Sequence, residues 1–332
     1  MKRKYIISAI VMAAIVAFLG GCSMYMLDYS LRADPNRRDV DSAYSVLYRR
    51  MPDMRPWVDS LVRLNLLKDT FVTMSSGERH HALYLRSDSA CGKTAVIIHG
   101  YKDSAPEYLF IGRMYQRDLG FNILMPDLHA HGRSDGDDIR MGWKDRIDVR
   151  RWTEVAEQLF RDSICPSRVI VHGVSMGAAT SMCLSGEPGL PEYIRCFVED
   201  CGYTSVWDEF SLQLKEQFGL PEFPVMYTAS LLCRLCHGWS FGEASPVRQV
   251  AKCHRPMLFI HGDADGFVPY SMLEPLYNAK PCPKERWVAK GSRHACAYTD
   301  HPVEYAAAVR RLMENVVDSD SLGCNSATGN RR

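Results

Sequence analysis

No single sign of charge dominates this chain: 40 Lys+Arg stand against 39 Asp+Glu, a net charge of +1 over 332 residues. A nucleic-acid-binding protein normally shows a basic excess, so that class is set aside and no nucleic-acid partner is expected. Cysteine is also too sparse for a small disulfide-stapled scaffold, with 12 in 332 residues against the ~8–10% such scaffolds carry. No internal repeat is present, which excludes a solenoid. Nor is the composition that of a disordered chain, since 46% of residues are hydrophobic and 24% charged. What remains is a chain long enough to bury its own core.

Charge is missing locally as well. After Lys2-Arg3-Lys4, residues 5–27 carry none, and the first acidic group is Asp28. A basic start, an apolar stretch and a small-residue exit follow the plan of an export signal. The exit reads Leu19-Gly20-Gly21-Cys22 before Ser23. It resembles a bacterial lipobox, whose cysteine is lipidated and becomes the new N-terminus. The alternative is an uncleaved anchor, because the uncharged stretch reaches the ~20 residues a membrane helix needs. Both place the basic residues in the cytoplasm and the rest of a membrane-attached protein outside it, in a bacterial cell envelope. With Cys22 set aside, eleven cysteines remain, and sequence cannot give their pairing.

Residues 23–66 are expected as a membrane-proximal linker, with Pro35, Pro52 and Pro56 interrupting 28–66 and a short helix over 57–66. Short apolar runs then alternate with helical patterns. Strands are predicted at 70–74, 81–86, 94–98, 121–125, 168–172, 194–199, 256–261 and 285–289, and helices at 106–118, 145–162, 176–185, 270–279 and 302–316. Continuous runs such as Ala95-Val-Ile-Ile98 and Met257-Leu-Phe-Ile260 suit strands covered on both faces. The alternation argues βαβ units and an α/β fold with a mostly parallel central sheet, helices on both faces and an antiparallel hairpin leading it. Residues 203–252 break the rhythm and are rich in Trp and Phe, as an inserted lid would be. A main domain over 67–318 and a polar tail over 319–332 complete the division.

The strand ends carry the chemistry. Val169-Ile-Val171 leads into His172-Gly173-Val174-Ser175-Met176-Gly177. This is G-x-S-x-G at a strand-to-helix junction, where small neighbours permit a strained turn that exposes the serine hydroxyl. A serine is a poor nucleophile without a base. In the chain order of such sites an acid and then a histidine follow. His261-Gly-Asp263-Ala-Asp265-Gly-Phe-Val268-Pro269 follows one strand and Ser292-Arg-His294 the next. The expected set is Ser175, Asp265 and His294. Asp263 and Asp200 are the other candidate acids, one bracing a turn and the other capping one. The expected oxyanion donors are the backbone N–H groups of Met176 and of Tyr101, in the loop after strand 94–98.

These residues, with His99-Gly100 and the segment Pro126-Asp127-Leu-His129-Ala-His131-Gly132-Arg-Ser134-Asp-Gly136, carry a resemblance. Over about residues 67–316 the chain resembles an α/β-hydrolase of the lipase, esterase and peptidase type. It is most similar to membrane-attached bacterial members near the serine aminopeptidase and prolyl oligopeptidase branch. The Asp127 segment is similar to D-x-R-G-H-G-x-S-x-G, with His129-Ala130 where Arg-Gly is usual. The resemblance implies the acid before x-x-Val-Pro, which is Asp265. The resemblance brings little about substrate; the Ser-His-Asp set itself predicts a serine hydrolase acting on an acyl ester or amide through an acyl-enzyme, with a small-molecule acyl ester or a peptide as substrate. The rival readings are a peptidase, with Glu209, Glu216, Glu222 or Glu243 holding the substrate amine, and a non-catalytic envelope lipoprotein on the same scaffold.

No metal or organic cofactor is expected. Histidines 99, 129, 131, 172 and 261 cluster near strand ends, but no H-E-x-x-H spacing accompanies them, so they are taken as turn and packing residues. Cys233-Arg-Leu-Cys236-His237 is a literal C-x-x-C-H. It lies inside the apolar insertion, where a disulfide or free thiols are preferred to haem attachment.

Overall fold

The computed structural model describes the backbone over residues 2–326 and side chains over 4–316. Its contacts divide the chain into two compact units. One comprises residues 33–204 with 246–332, and the other residues 1–32 with 205–245.

The larger unit is built on an eight-stranded sheet. The strands are β1 (Lys68–Thr73), β2 (Arg79–Leu85), β3 (Lys93–Ile98), β4 (Asn122–Pro126), β5 (Arg168–Val174), β6 (Ile194–Asp200), β7 (Met257–Gly262) and β8 (Lys284–Ala289). Their order is β1-β2-β4-β3-β5-β6-β7-β8. β1 and β2 form the antiparallel lead, β2 meets β4 antiparallel, and every later pair is parallel. The carboxyl ends of β3 to β8 therefore share one edge.

Helices number in chain order α1 (Lys2–Leu31), α2 (Val40–Arg50), α3 (Arg55–Arg63), α4 (Leu109–Arg113), α5 (Asp145–Phe160), α6 (Met176–Ser185), α7 (Val206–Phe218), α8 (Val225–His237), α9 (Pro246–Val250), α10 (Leu273–Ala279), α11 (Ala297–Asp300) and α12 (Pro302–Ser326). On one face of the sheet α5 and α6 pack against β3, β5 and β6, with α9 and α10 beside them. The other face buries Ala95, Ile97, Ile123, Ile170, Val198 and Leu258 under α4 and α12. This is the α/β-hydrolase fold.

Three regions depart from the sequence reading. Residues 40–63 are part of the body rather than linker. The Asp39 carboxylate accepts the Ser42 N–H at 3.0 Å and caps α2. Leu47, Met54, Val58 and Leu61 enter the main core. Pro52 and Pro56 open a 3₁₀ turn and α3, where proline is at home. The inserted unit begins at Ser205 and ends at Ser245 rather than spanning 203–252. Tyr203 donates to the Met141 carbonyl at 3.0 Å within the body. A Cβ on Gly186 would come within 2.6 Å of the Gln249 carbonyl, which ties 246–250 to α6. Finally, the segment expected as a tail over 319–332 continues α12 to Ser326, since no proline interrupts it. Residues 327–332 lie outside the described residues.

The smaller unit holds α1, α7 and α8. Over Lys4–Leu31 α1 is long and apolar enough to cross a membrane. Its last turns bury Ser23, Leu27 and Leu31, spaced by four along one side. Tyr29 meets Phe218 edge-on at 5.7 Å.

Candidate active site

Ser175 sits between β5 and α6 at φ 57°, ψ −117°, a region costly to any residue with a side chain. The neighbours make the turn possible. A Cβ at position 173 would lie 1.9 Å from the Gly177 carbonyl oxygen, and one at 177 would lie 2.2 Å from that of Ile98. Only glycine fits at either position. The turn is further held by the Ser175 N–H, which donates to the Asp200 carbonyl at 2.8 Å.

The Ser175 hydroxyl stands 2.9 Å from His294 Nε2, and His294 Nδ1 stands 2.7 Å from Asp265 Oδ2. Because Nδ1 faces a carboxylate it carries the ring proton, which leaves Nε2 to accept from the hydroxyl. Asp265 Oδ1 accepts the N–H groups of Phe267 at 2.9 Å and Val268 at 3.0 Å. His261 Nε2 lies 3.5 Å from Oδ2. Burial works to raise the Asp265 pKa, but the His261 and His294 contacts outweigh it and hold the acid at about 2. The carboxylate is thus fixed in its ionised form. Ser175, Asp265 and His294 come together from the ends of three strands that are distant in sequence.

The other acids go elsewhere. Asp263 Oδ1 accepts the Gly291 N–H at 2.6 Å and braces the turn. Asp200 does not cap a turn; the neighbouring Glu199 does, accepting the Gly202 N–H at 3.0 Å. Asp200 Oδ2 instead accepts from Tyr305 at 2.9 Å. Tyr305 in turn takes a bond from His172 Nε2 at 2.8 Å, and Tyr115 lies 2.9 Å from His172 Nδ1. This buried chain has no direct bond to His294. Burial pushes Asp200 up to about 6 and Glu199 up to about 8, against the pull of Tyr305 on the first and His261 on the second.

Met176 opens α6, so its N–H is among the first-turn donors without an intrahelical acceptor. Loop 99–102 lies against the serine: a Cβ at Gly100 would be 3.6 Å from Ser175 Cβ, and 2.7 and 2.8 Å from Asp103 Oδ2 and the Tyr108 hydroxyl. This loop carries Tyr101. His99 Nε2 accepts the Leu128 N–H at 3.0 Å, and His131 Nε2 accepts the Lys102 N–H at 3.1 Å. Asp127 accepts from Ala105, Arg133 and His81 at 2.7–2.9 Å. The histidine-rich segment therefore ties the loops together.

Two residues escaped the sequence reading. His261, taken only for packing, approaches the same Asp265 Oδ2 that His294 contacts, at 3.5 Å. Arg50, from the supposed linker, donates to the Ala295 carbonyl beside His294. His261 lies four residues before Asp265 in the same turn, so its spacing was a local signal; Arg50 has no local motif and is legible only through a contact between segments 245 residues apart.

Among the described residues two groups have metal-ligand chemistry. Cys201, Asp265 and His294 form one, but Asp265 and His294 are bonded to each other. Glu78, His80 and His129 form the other. There the Glu78 carboxylate is already matched by His129 Nε2 at 3.0 Å and Arg140 at 3.3 Å, so its charge is balanced by side chains. Burial holds the His80 pKa down at about 4, with the His129 charge acting in the same direction. In the C-x-x-C-H stretch Cys233 is buried and Cys236 exposed, so the two sulfurs are not presented alike to one ligand.

The profile of the Alpha/beta hydrolase family matches residues 95–308. The chain belongs to this family. This hydrolase is 28% identical over 226 residues to the uncharacterised protein YqkD of Bacillus subtilis, covering 68% of this chain and 72% of YqkD. It is 24% identical over 234 residues to YfhR of Escherichia coli, covering 69% and 73%. Among solved structures, an esterase of Pyrococcus furiosus, Pf2001, superposes with a TM-score of 0.60 at 21% identity, over 77% of this hydrolase and 95% of the esterase. Puromycin hydrolase superposes at 0.58 and 15% identity, over 76% of this chain and 39% of that one.

Proposed function

We propose that this α/β-hydrolase is a serine hydrolase that cleaves a small acyl ester or amide through an acyl-enzyme. The hydrogen-bonded line from Ser175 Oγ through His294 to Asp265, at 2.9 and 2.7 Å, carries the reading. His294 takes the Ser175 proton as the hydroxyl attacks the acyl carbon. Asp265 holds the imidazole in the right tautomer and stabilises its cationic form. The tetrahedral oxyanion takes hydrogen bonds from the Met176 and Tyr101 N–H groups, aided by the α6 N-terminus. His294 then protonates the leaving group, and water repeats the sequence to release the acid. No cofactor enters the scheme. The test is a fluorophosphonate probe on full-length, detergent-solubilised protein. Wild type is labelled, and Ser175→Ala is not, with kcat lower by roughly 10⁴–10⁶. Labelling that persists in the variant places the chemistry elsewhere. A series of p-nitrophenyl esters of rising chain length, run beside aminoacyl amides, identifies the acyl class.

The same reading attaches the protein to a bacterial membrane by its N-terminal segment, with the hydrolase domain outside the cytoplasm. The Lys2-Arg-Lys4 flank and the apolar α1 support this. So does the Cys91–Cys165 disulfide, a bond that persists in oxidising compartments. Cys22→Ala blocks processing if Cys22 is lipidated. An intact Met1 terminus without acyl mass in wild type favours the uncleaved anchor.

A further inference from the structure

We propose that α8 is a second membrane contact, its Tyr227, Leu231 and Leu235 face, with Phe223 just before the helix, lying in the lipid surface at the foot of the N-terminal tether. The proposal rests on the membrane attachment argued above and adds a named protein surface to it.

The first observation is the helix itself. Its inward face buries Met226, Ala229 and Cys233. The opposite side of a helix in water is normally polar. Here it is not: Phe223 and Leu235 are each 73% exposed, and Tyr227 and Leu231 each 57%. Tyr227, Leu231 and Leu235 recur every fourth residue of the helix, so they form one line, because side chains four apart stack along a helix; Phe223, two residues before the helix, extends it by meeting the Tyr227 ring edge-on at 5.9 Å. The one charged residue within the helix, Arg234, pairs with Glu243 at 3.1 Å. A helix apolar on two opposite faces needs an apolar medium on the second one.

The second observation fixes where that medium is. Ser23 Oγ bonds to Thr228 Oγ1 and reaches the Val225 carbonyl at 3.5 Å, both on α8. Residues 5–22 precede it, a span of about 27 Å at ~1.5 Å per residue, close to the ~30 Å hydrocarbon core. Whether the tether is an intact helix or a lipid on Cys22, it leaves the bilayer at Ser23. That point touches the first turn of α8, so the tether brings α8 to the membrane surface in either case. With 13 residues, α8 is about 20 Å long at ~1.5 Å per residue. It is too short to span and suited to lying in the interface. Tyr227 and Phe223 are residue types enriched there. Exposed Glu222, just before Phe223, keeps the start of the segment at headgroup level.

The test uses the full-length protein in phosphatidylcholine–phosphatidylglycerol vesicles whose acyl chains carry a photoreactive diazirine. Flotation with the vesicles reports the tether, and mass spectrometry of lipid adducts reports the surface. We expect the protein to float and the 223–237 peptide to be labelled roughly tenfold above the 145–160 peptide of α5. Leu231→Glu/Leu235→Glu, at exposed positions where circular dichroism checks folding, should lower that labelling by a similar factor without changing flotation. A protein that floats with 223–237 labelled no more than α5 overturns the docking and leaves the attachment standing. Failure to float removes both. If labelling stays at the α5 level and the double variant splits a detergent-soluble dimer in sedimentation, a second copy covers this face instead, and the proposal falls.

Discussion

Two aspartates end neighbouring strands at the same edge, and their surroundings have driven them in opposite directions. Asp200 closes β6 and Asp265 follows β7. Both are buried. Asp265 is met by two imidazoles and two backbone N–H groups, and is held at about 2. Asp200 is met by the Tyr305 hydroxyl, and burial lifts it to about 6. Nearness to the serine therefore does not choose the acid. In the proposed mechanism the choice lies in which carboxylate has enough donors to stay ionised when the histidine becomes a cation. Asp200 serves the same turn through its backbone, accepting the Ser175 N–H, while its side chain closes a buried polar chain.

The largest break in this comparison is Asp265→Asn. It keeps shape and removes the charge, so kcat should fall by about 10⁴ with the fold retained. His261→Asn should come next. It weakens one contact to the carboxylate but leaves Ser175 and His294 in place, and kcat should drop by roughly tenfold while KM for a p-nitrophenyl ester stays within about twofold. Asp200→Asn should leave kcat within about threefold, because an amide oxygen still accepts from Tyr305. A dead but folded Asp200→Asn beside an active Asp265→Asn would reverse the assignment.

The smallest effects are in stability against pH, and their signs are opposite. Asp265 falls from 3.8 to about 2 on folding. It therefore contributes about 2 kcal/mol above pH 3.8 that is lost as pH falls through about 2. Asp200 rises from 3.8 to about 6. Its native form holds the proton longer, so stability is full below pH 3.8 and declines by about 3 kcal/mol as pH rises through 6. Glu199, raised to about 8, extends the decline. Thermal melts from pH 2 to 9 should show the acid-side loss reduced in Asp265→Asn and the decline between pH 4 and 6 reduced in Asp200→Asn. Parallel curves for the two variants would contradict both directions.

The inner strands of the sheet were legible in the sequence because buried parallel strands are short, continuous apolar runs, and all eight predicted strands fall within a few residues of the observed ones. The serine turn was legible because steric demands leave only glycine at 173 and 177. Asp265 and His294 could be named because each sits in a short, local turn. The chain Tyr115–His172–Tyr305–Asp200 could not, since its members are 57, 133 and 105 residues apart and carry no periodic signal. Residues 40–63 misled for a different reason. Polar, Arg-rich segments with prolines resemble linkers, and only contact with the body reveals that Leu47, Met54, Val58 and Leu61 face inward.

The Cys91–Cys165 bridge closes a stretch of 74 residues that contains the glycine loop at 99–102, the Asp127 segment and α5. Opening it would return to the unfolded chain the freedom of that whole ring, worth about 4 kcal/mol in the chain-entropy account. The host compartment is then a component of durability. Material made in a reducing cytosol should carry the same serine turn yet melt several degrees earlier than material made in an oxidising one, and reoxidation should restore the difference.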